Sequence, residues 1–208
     1  MYIRSVVLCF FIFLGCNSKE IVESESHYPV STGTLFPMNM NNIWYYRAQE
    51  RGYNSTTVTI NNYDLKINYL ISVNNNNYYN LTHANYRRYF PAYFSTDDGI
   101  FVSFTELNVD NPSLVFKYPT FAGETNIVDS KLTVVTHSVD TTVTVPAGQY
   151  NCIHYEYIYN SPYLVYSRHF FFYPGIGIIA QSGYMPEYVP DQGISVFKLE
   201  LESYQLNQ

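Results

Sequence analysis

Thr141-Thr-Val-Thr-Val-Pro-Ala-Gly-Gln-Tyr-Asn-Cys-Ile-His-Tyr-Glu-Tyr-Ile-Tyr159 decides the fold. Its two arms alternate strictly. Val143 and Val145 share one face opposite Thr142 and Thr144, and Ile153, Tyr155, Tyr157 and Tyr159 share a face opposite Cys152, His154 and Glu156. A change of face at every residue marks a strand half-buried against a core. Between the arms, Pro146 presets φ for the first central position of a type I turn, and Gly148 supplies the left-handed residue that closes it. The stretch is a β-hairpin.

Outward from the hairpin the pattern is the same. Strands are expected at Ile43–Glu50, Thr56–Ile60, Asp64–Val73, Tyr78–His83, Tyr86–Phe94, Ile100–Leu107, Leu132–Ser138, Thr141–Val145, Leu164–Phe172, Ile178–Ser182 and Ile194–Tyr204. Asn74–Asn77 and Asp97-Asp98-Gly99 read as turns between them, because Asn, Asp and Gly tolerate left-handed φ. The 208 residues hold 18% aromatic and only 13% charged side chains, against about 25% charged in an average soluble protein. Tyr alone occurs 23 times, offering a ring that packs and a hydroxyl that stays wet. The expected fold is all-β: a single antiparallel domain over residues 35–208, either a curled half-barrel or a two-layer sandwich.

The net charge of −6 is spread along the chain, and no Lys/Arg cluster exists, so nucleic acid is not an expected partner. The three cysteines do not make a disulfide framework. Cys9 lies in an apolar leader, Cys16 ends it, and only Cys152 belongs to the body.

That leader carries the strongest functional signal. Arg4 precedes a short apolar run from Ser5 through Leu14, too short to span a bilayer and typical of a secretory signal. Phe13-Leu14-Gly15-Cys16 resembles the bacterial lipobox. That resemblance implies a signal peptide over residues 1–15, removed so that Cys16 becomes a lipidated N-terminus, with 16–34 a Ser- and Glu-rich tether. More than one acyl chain on one residue gives stable anchoring. An ordinary signal peptide with an incidental cysteine is the competing reading. Asn17 stands where the inner-membrane retention signal would have Asp, which implies transfer to the outer membrane, facing either the periplasm or the outside.

A second phrase, Lys117-Tyr118-Pro119 through Thr125, echoes Leu35-Phe36-Pro37 through Ile43, with Gly123 in the place of Asn41. The echo suggests two β-rich halves of similar layout. Taken together, Asn42-x-Trp44-x-Tyr46, the Val145–Cys152 hairpin and Pro174-Gly-Ile-Gly-Ile178 resemble a widespread group of bacterial secreted and lipid-anchored β-domains. The resemblance implies a fold and brings no activity with it.

Candidate chemistry is sparse. Cys152 and His154 share a strand face, with His137 and His169 on neighbouring strands, but no Cys-x2-Cys or His-x3-His spacing exists, so no metal or other cofactor is expected. No Gly-x-Ser-x-Gly elbow occurs. Glu106, Glu124, Asp129 and Glu156 are scattered carboxylates that would serve a hydrolase only if two of them met across a cleft. Aromatic sets at Tyr86, Tyr89, Phe90, Tyr93 and Phe94, and at Tyr163, Tyr166, Phe170, Phe171, Phe172 and Tyr173, load both faces of their strands. Either a concave sheet makes an apolar cleft, or both faces are covered. The expected function is that of an outer-membrane lipoprotein, held to the membrane by its lipid anchor. Its β-domain would bind or scaffold a lipid, glycan or envelope protein without catalysis, and a hydrolase of envelope polymers is the alternative.

Overall fold

The computed structural model describes residues 34–52, 56–73, 76–83, 92–103, 112–186 and 194–207. The leader, Cys16, Glu106 and the first part of the Tyr86–Phe94 strand lie outside them. The described residues form twelve strands and no helix. In chain order these are β1 (Ile43–Arg51), β2 (Thr59–Val73), β3 (Asn76–His83), β4 (Ala92–Thr96), β5 (Gly99–Ser103) and β6 (Ser113–Lys117), followed by β7 (Thr125–Ile127), β8 (Leu132–Val145), β9 (Gly148–Ser161), β10 (Leu164–Tyr173), β11 (Gly177–Pro186) and β12 (Ile194–Gln205).

The deciding hairpin is β8–β9. Val145 pairs with Gly148 around Pro146-Ala147, and Gly148 takes a φ of 138°. Elsewhere the expectations change in three places. The strands expected at Leu132–Ser138 and Thr141–Val145 are one continuous strand, β8, bent by register shifts against β9. Thr56–Ile60 and Asp64–Val73 belong largely to one continuous strand, since Asn61, Asn62 and Tyr63 pair with Ala48, Arg47 and Tyr46 of β1. A ladder partner overrides the turn preference of the two asparagines. The short strands β6 and β7 have no alternation long enough to be read.

All twelve strands are antiparallel neighbours in the order β6-β5-β4-β3-β2-β1-β12-β11-β10-β9-β8-β7. Two six-stranded meanders are thus joined through the β1–β12 ladder. The sheet curls until its ends meet. Tyr155 on β9 donates its hydroxyl to Lys117 O at the end of β6 (2.6 Å), and Ala147 N in the β8–β9 turn reaches Leu201 O of β12 (3.0 Å). At the seam the described residues of β6 and β7 share no ladder; instead Asn126 Nδ2 donates to Leu114 O (2.8 Å) and Val115 O (3.2 Å). This is the curled, sandwich-like half-barrel anticipated from the sequence.

The echo between the two opening phrases extends to the backbone. Asn41 and Gly123 both adopt positive φ, 66° and 86°. Asn42 N bonds to Asn39 O and Glu124 N to Phe121 O, each at 3.1 Å. Asn41 N and Asn42 O pair with Ile67 on β2, while Gly123 N and Glu124 O pair with Thr136 on β8. Each opening segment then docks on the other half: Thr34 O accepts from Gly175 N in the β10–β11 turn, and Tyr118 N donates to Asp98 O in the β4–β5 turn. The chain is built as two similar halves that cross-brace one another.

The concave side is filled by rings. Phe36 stacks on Trp44 (centroids 4.6 Å apart) and meets Phe172 edge-on, and Phe116 contacts Tyr155, Phe170 and Phe172 at 5.0–5.3 Å. Ring pairs in such offset and edge-to-face arrangements add to the stabilisation from burial. Polar tips find partners within this core. Trp44 Nε1 donates to Ile176 O (2.7 Å) and Tyr46 Oη to Ile178 O (2.8 Å), so the Pro-Gly-Ile-Gly turn is held by the opening strand. Asn42, fully buried, donates to Pro37 O and accepts from Asn207 N near the C-terminus, both at 2.7 Å.

Candidate functional site

The aromatic sets divide between the two sides. Residues paired across a ladder share a face. Tyr155, Tyr157, Tyr159, Tyr166, Phe170 and Phe172 therefore line the concave side. Near its end Tyr166 stacks with Tyr159 (5.2 Å), and the Arg168 guanidinium lies 5.2 Å from the Tyr166 ring centre. Burial pushes Tyr93 up to about 12, with the Arg168 charge pulling the other way, so this phenol stays neutral. On β4 the next residue, Phe94, faces outward and packs with Tyr78 (5.0 Å) and Phe101 (4.6 Å). Tyr86, Tyr89 and Phe90 lie outside the described residues. The aromatic excess over the described residues is therefore spent on a filled interior and a smaller outer cluster. Among the described aromatic residues Tyr163 alone stands fully in solvent, at the β9–β10 turn.

The convex side of β8–β10 gathers the chemistry. Glu156 pairs with Val135 on β8 and with His169 on β10, and His154 pairs with Ser138 and Phe171. Glu156, His154, His169 and Phe171 thus share the face opposite Tyr155. Adjacent strands lie about 4.8 Å apart, which brings these side chains into mutual reach. His137 arrives by a different route. Thr136 pairs with Tyr155 and Ser138 with His154, leaving His137 as an extra residue opposite none, a β-bulge. The bulge brings His137 Nε2 to 2.7 Å from Glu156 Oε2, and its ring centre to 5.0 Å from that of His154 and 6.3 Å from that of His169. His154 Nε2 and His169 Nδ1 are hydrogen-bonded to each other at 3.0 Å. The His154 ring lies flat on Phe171, centroids 4.5 Å apart.

The electrostatics reflect this crowding. His154 is held down to about 4 by burial and then by the neighbouring His169 and His137; Glu156 opposes them only in part. Burial would raise Glu156, but hydrogen bonds from His137 and Ser167 outweigh it and keep the carboxyl below its ordinary value. At neutral pH the cluster holds a neutral His154 beside a carboxylate.

Cys152 does not join it. A second register shift between Ser138 and Thr141 separates Cys152 from the cluster, and the thiol is fully buried 3.8 Å from Tyr150 O. Burial pushes it up to about 12, so the thiol stays protonated and behaves as a small apolar side chain. The candidate carboxylates separate as well. Glu124 is bound to Lys117 and Thr120, and Thr120 in turn touches Thr136 on the concave side, whereas Glu156 faces outward. Asp129 accepts from Lys131 N and Leu132 N in the β7–β8 turn. The three described carboxylates do not face one another across a cleft. Among the described residues no group of three or more His, Cys, Asp or Glu is placed so that it could hold a metal ion.

No protein-family profile and no curated protein matches the chain. Two solved structures resemble it. One is described as a "putative exported protein with YmcC-like fold" from Bacteroides fragilis, 13% identical, with 84% of this chain and all of that one aligned at a TM-score of 0.46. The other is a "putative lipoprotein" from Parabacteroides distasonis, 10% identical, covering 83% of this chain and 99% of that one at a TM-score of 0.44. Likenesses this distant carry no functional argument.

Proposed function

We propose that the chain is an envelope lipoprotein, acylated at Cys16 and carried to the outer membrane, whose β-domain is a non-catalytic module that meets its partner at its outer surface. The observation that carries this reading is the filled concave side: Phe36, Trp44, Phe116, Tyr155 and Phe172 occupy the volume that a lipid carrier of this shape would leave open. A curled sheet with a solid interior recognises other molecules by its strands and turns. Of the partners open to an aromatic-rich lipoprotein, an enclosed lipid cargo is the least compatible with this packing, and a protein or glycan the most.

Two measurements test it. Cys16→Ser should abolish labelling by radioactive palmitate and leave an unprocessed or soluble protein; unchanged processing and detergent partitioning would refute the anchor. Mass spectrometry of a soluble form beginning after Cys16 should find no lipid in stoichiometric amount. One bound lipid per chain would overturn the filled-interior reading, and cleavage of purified envelope polymers would restore the hydrolase alternative.

A further inference from the structure

Four titratable side chains, His137, His154, Glu156 and His169, meet where β8 is least regular. Two register shifts fall between Thr136 and Thr141, so His137, Val139 and Asp140 have no partner on β9. A ladder interrupted in this way is a local weak point, and the side chains around it decide whether it stays closed. We propose that His137, His154 and His169 form a proton-operated latch on the convex side. It holds the β8 bulge against β9 while His154 is neutral, and releases it once His154 and His169 are both protonated.

The central pair sets the direction. His154 Nε2 and His169 Nδ1 lie 3.0 Å apart, so one nitrogen donates and the other accepts. A first added proton goes to an outer nitrogen and leaves that bond intact, an imidazolium donating to a neutral imidazole. A second puts donors on both facing nitrogens, and the bond becomes a repulsion. His137 adds to the conflict, with its ring centre 5.0 Å from that of His154 and 6.3 Å from that of His169; those two are 5.1 Å apart. The one carboxylate in direct contact, Glu156, is already engaged by His137 at 2.7 Å and by Ser167. Like charges this close repel, most strongly where burial thins the water between them. His154 has no retreat on its other side, because Phe171 lies flat against it at 4.5 Å.

The remaining charges on this face do not relieve the pair. On β8, Asp140 is exposed and tied to Ser138, the residue opposite His154. Thr125 of β7 and Ser182 and Ala180 of β11 are uncharged. Lys198 and Glu200 of β12 continue the same rows, but they pair with each other at 2.7 Å, and Glu200 also with Arg47 of β1 at 3.0 Å.

Release therefore has a definite sign. In the closed state His154 is held down to about 4 from an ordinary 6.5, by burial first and then by the two neighbouring histidines. The open state binds the proton more tightly, so closure is favoured in full above about pH 6.5 and is lost as pH falls toward 4. Glu124, Glu156 and Glu200 are all held below their ordinary 4.5, so what they contribute is lost only below that value. The interval between belongs to the histidines.

Cys152 reports on the latch. It is fully buried, two residues from His154 on β9, and paired with Thr141 at the edge of the irregular stretch. In the intact chain carrying Cys9→Ser/Cys16→Ser it is the sole thiol. Its rate of reaction with a pyridyl disulfide, which stays reactive in mild acid, is measured at each pH on the folded chain and on the same chain in urea. The ratio of the two rates is the protection. Between about pH 6.5 and about pH 4.5 protection should fall about 10-fold per pH unit, the slope of one proton, while Trp44 fluorescence stays unchanged. His154→Gln should flatten that fall. His169→Gln, whose amide oxygen can accept from an imidazolium, should shrink it. His27→Gln/His83→Gln, which alters the two histidines outside the cluster, should behave as the parent does. Circular dichroism at neutral pH shows which variants are folded. Flat protection in the parent overturns the proposal, and so does a parental fall that survives in folded His154→Gln or, should that variant not fold, in His169→Gln. Loss of the Trp44 signal in step with Cys152 labelling overturns it too, because the whole domain then unfolds and not the bulge alone. None of these results bears on the lipid anchor or on the filled interior.

Discussion

Gly177 opens β11 directly beneath the Phe36 ring, and replacing it with alanine tests whether the opening segment is clamped there. A Cβ at this position would lie 2.1 Å from Phe36 Cδ2 and 2.2 Å from Cε2, and the residue's φ is 105°. The backbone conformation alone costs an L-residue about 1–2 kcal/mol. The ring has no easy retreat, since Phe36 is 2% exposed and stacked on Trp44. Expelling it approaches the cost of deleting a buried phenylalanine, about 3–5 kcal/mol. Gly177→Ala should therefore lose about 3–5 kcal/mol. With a urea slope of about 2 kcal/mol/M, the midpoint falls by about 2 M. The single tryptophan, Trp44, reports on this region by fluorescence. In a Phe36→Val background the colliding ring atoms are gone, and Gly177→Ala should then cost only its backbone share of about 1–2 kcal/mol. An equal cost in both backgrounds would refute the clamp, as would a loss below about 1 kcal/mol in the parent.

Asn126→Leu removes the side-chain bridge across the β6–β7 seam and leaves two carbonyls without that donor, a loss of about 1–3 kcal/mol. The melting temperature should drop by about 3–9 °C, and a change within about 1 °C would mean that the seam is held otherwise. In a form beginning after Cys16, Cys152 is the sole thiol and is both sealed and protonated. Iodoacetamide at about pH 8 should leave the folded protein unmodified and alkylate it at an ordinary rate in urea; rapid labelling of the folded chain would contradict the burial.

Much of the architecture is legible because alternation is a local signal. The β8–β9 hairpin, the Phe197/Leu199/Leu201 face of β12 and the two-faced burial of Phe170-Phe171-Phe172 are consequences of period two alone. What is not legible depends on partners distant in sequence. Asn61-Asn62 looks like a turn until β1 is laid beside it. The three-residue β7 has too little pattern to read, and is fixed by β8 and by the reach of Asn126. The histidine cluster lies between these cases. The sequence puts His154 on one face and His137 and His169 on neighbouring strands, but within it Glu156 is one of several scattered carboxylates. Only the register, and the bulge that turns His137, brings the four together. The aromatic excess is visible at once in the sequence; that the curl of the sheet consumes it is not.

The reciprocal docking of the opening segments has an architectural consequence. The bonds from Thr34 to Gly175 and from Tyr118 to Asp98 run in opposite senses between the meanders, as two people might each grip the other's wrist. Either meander in isolation would lack the strap that its twin provides, and its own strap would hang loose. A polypeptide severed between Lys117 and Tyr118, where the first meander ends, should consequently yield fragments that acquire order only in each other's company.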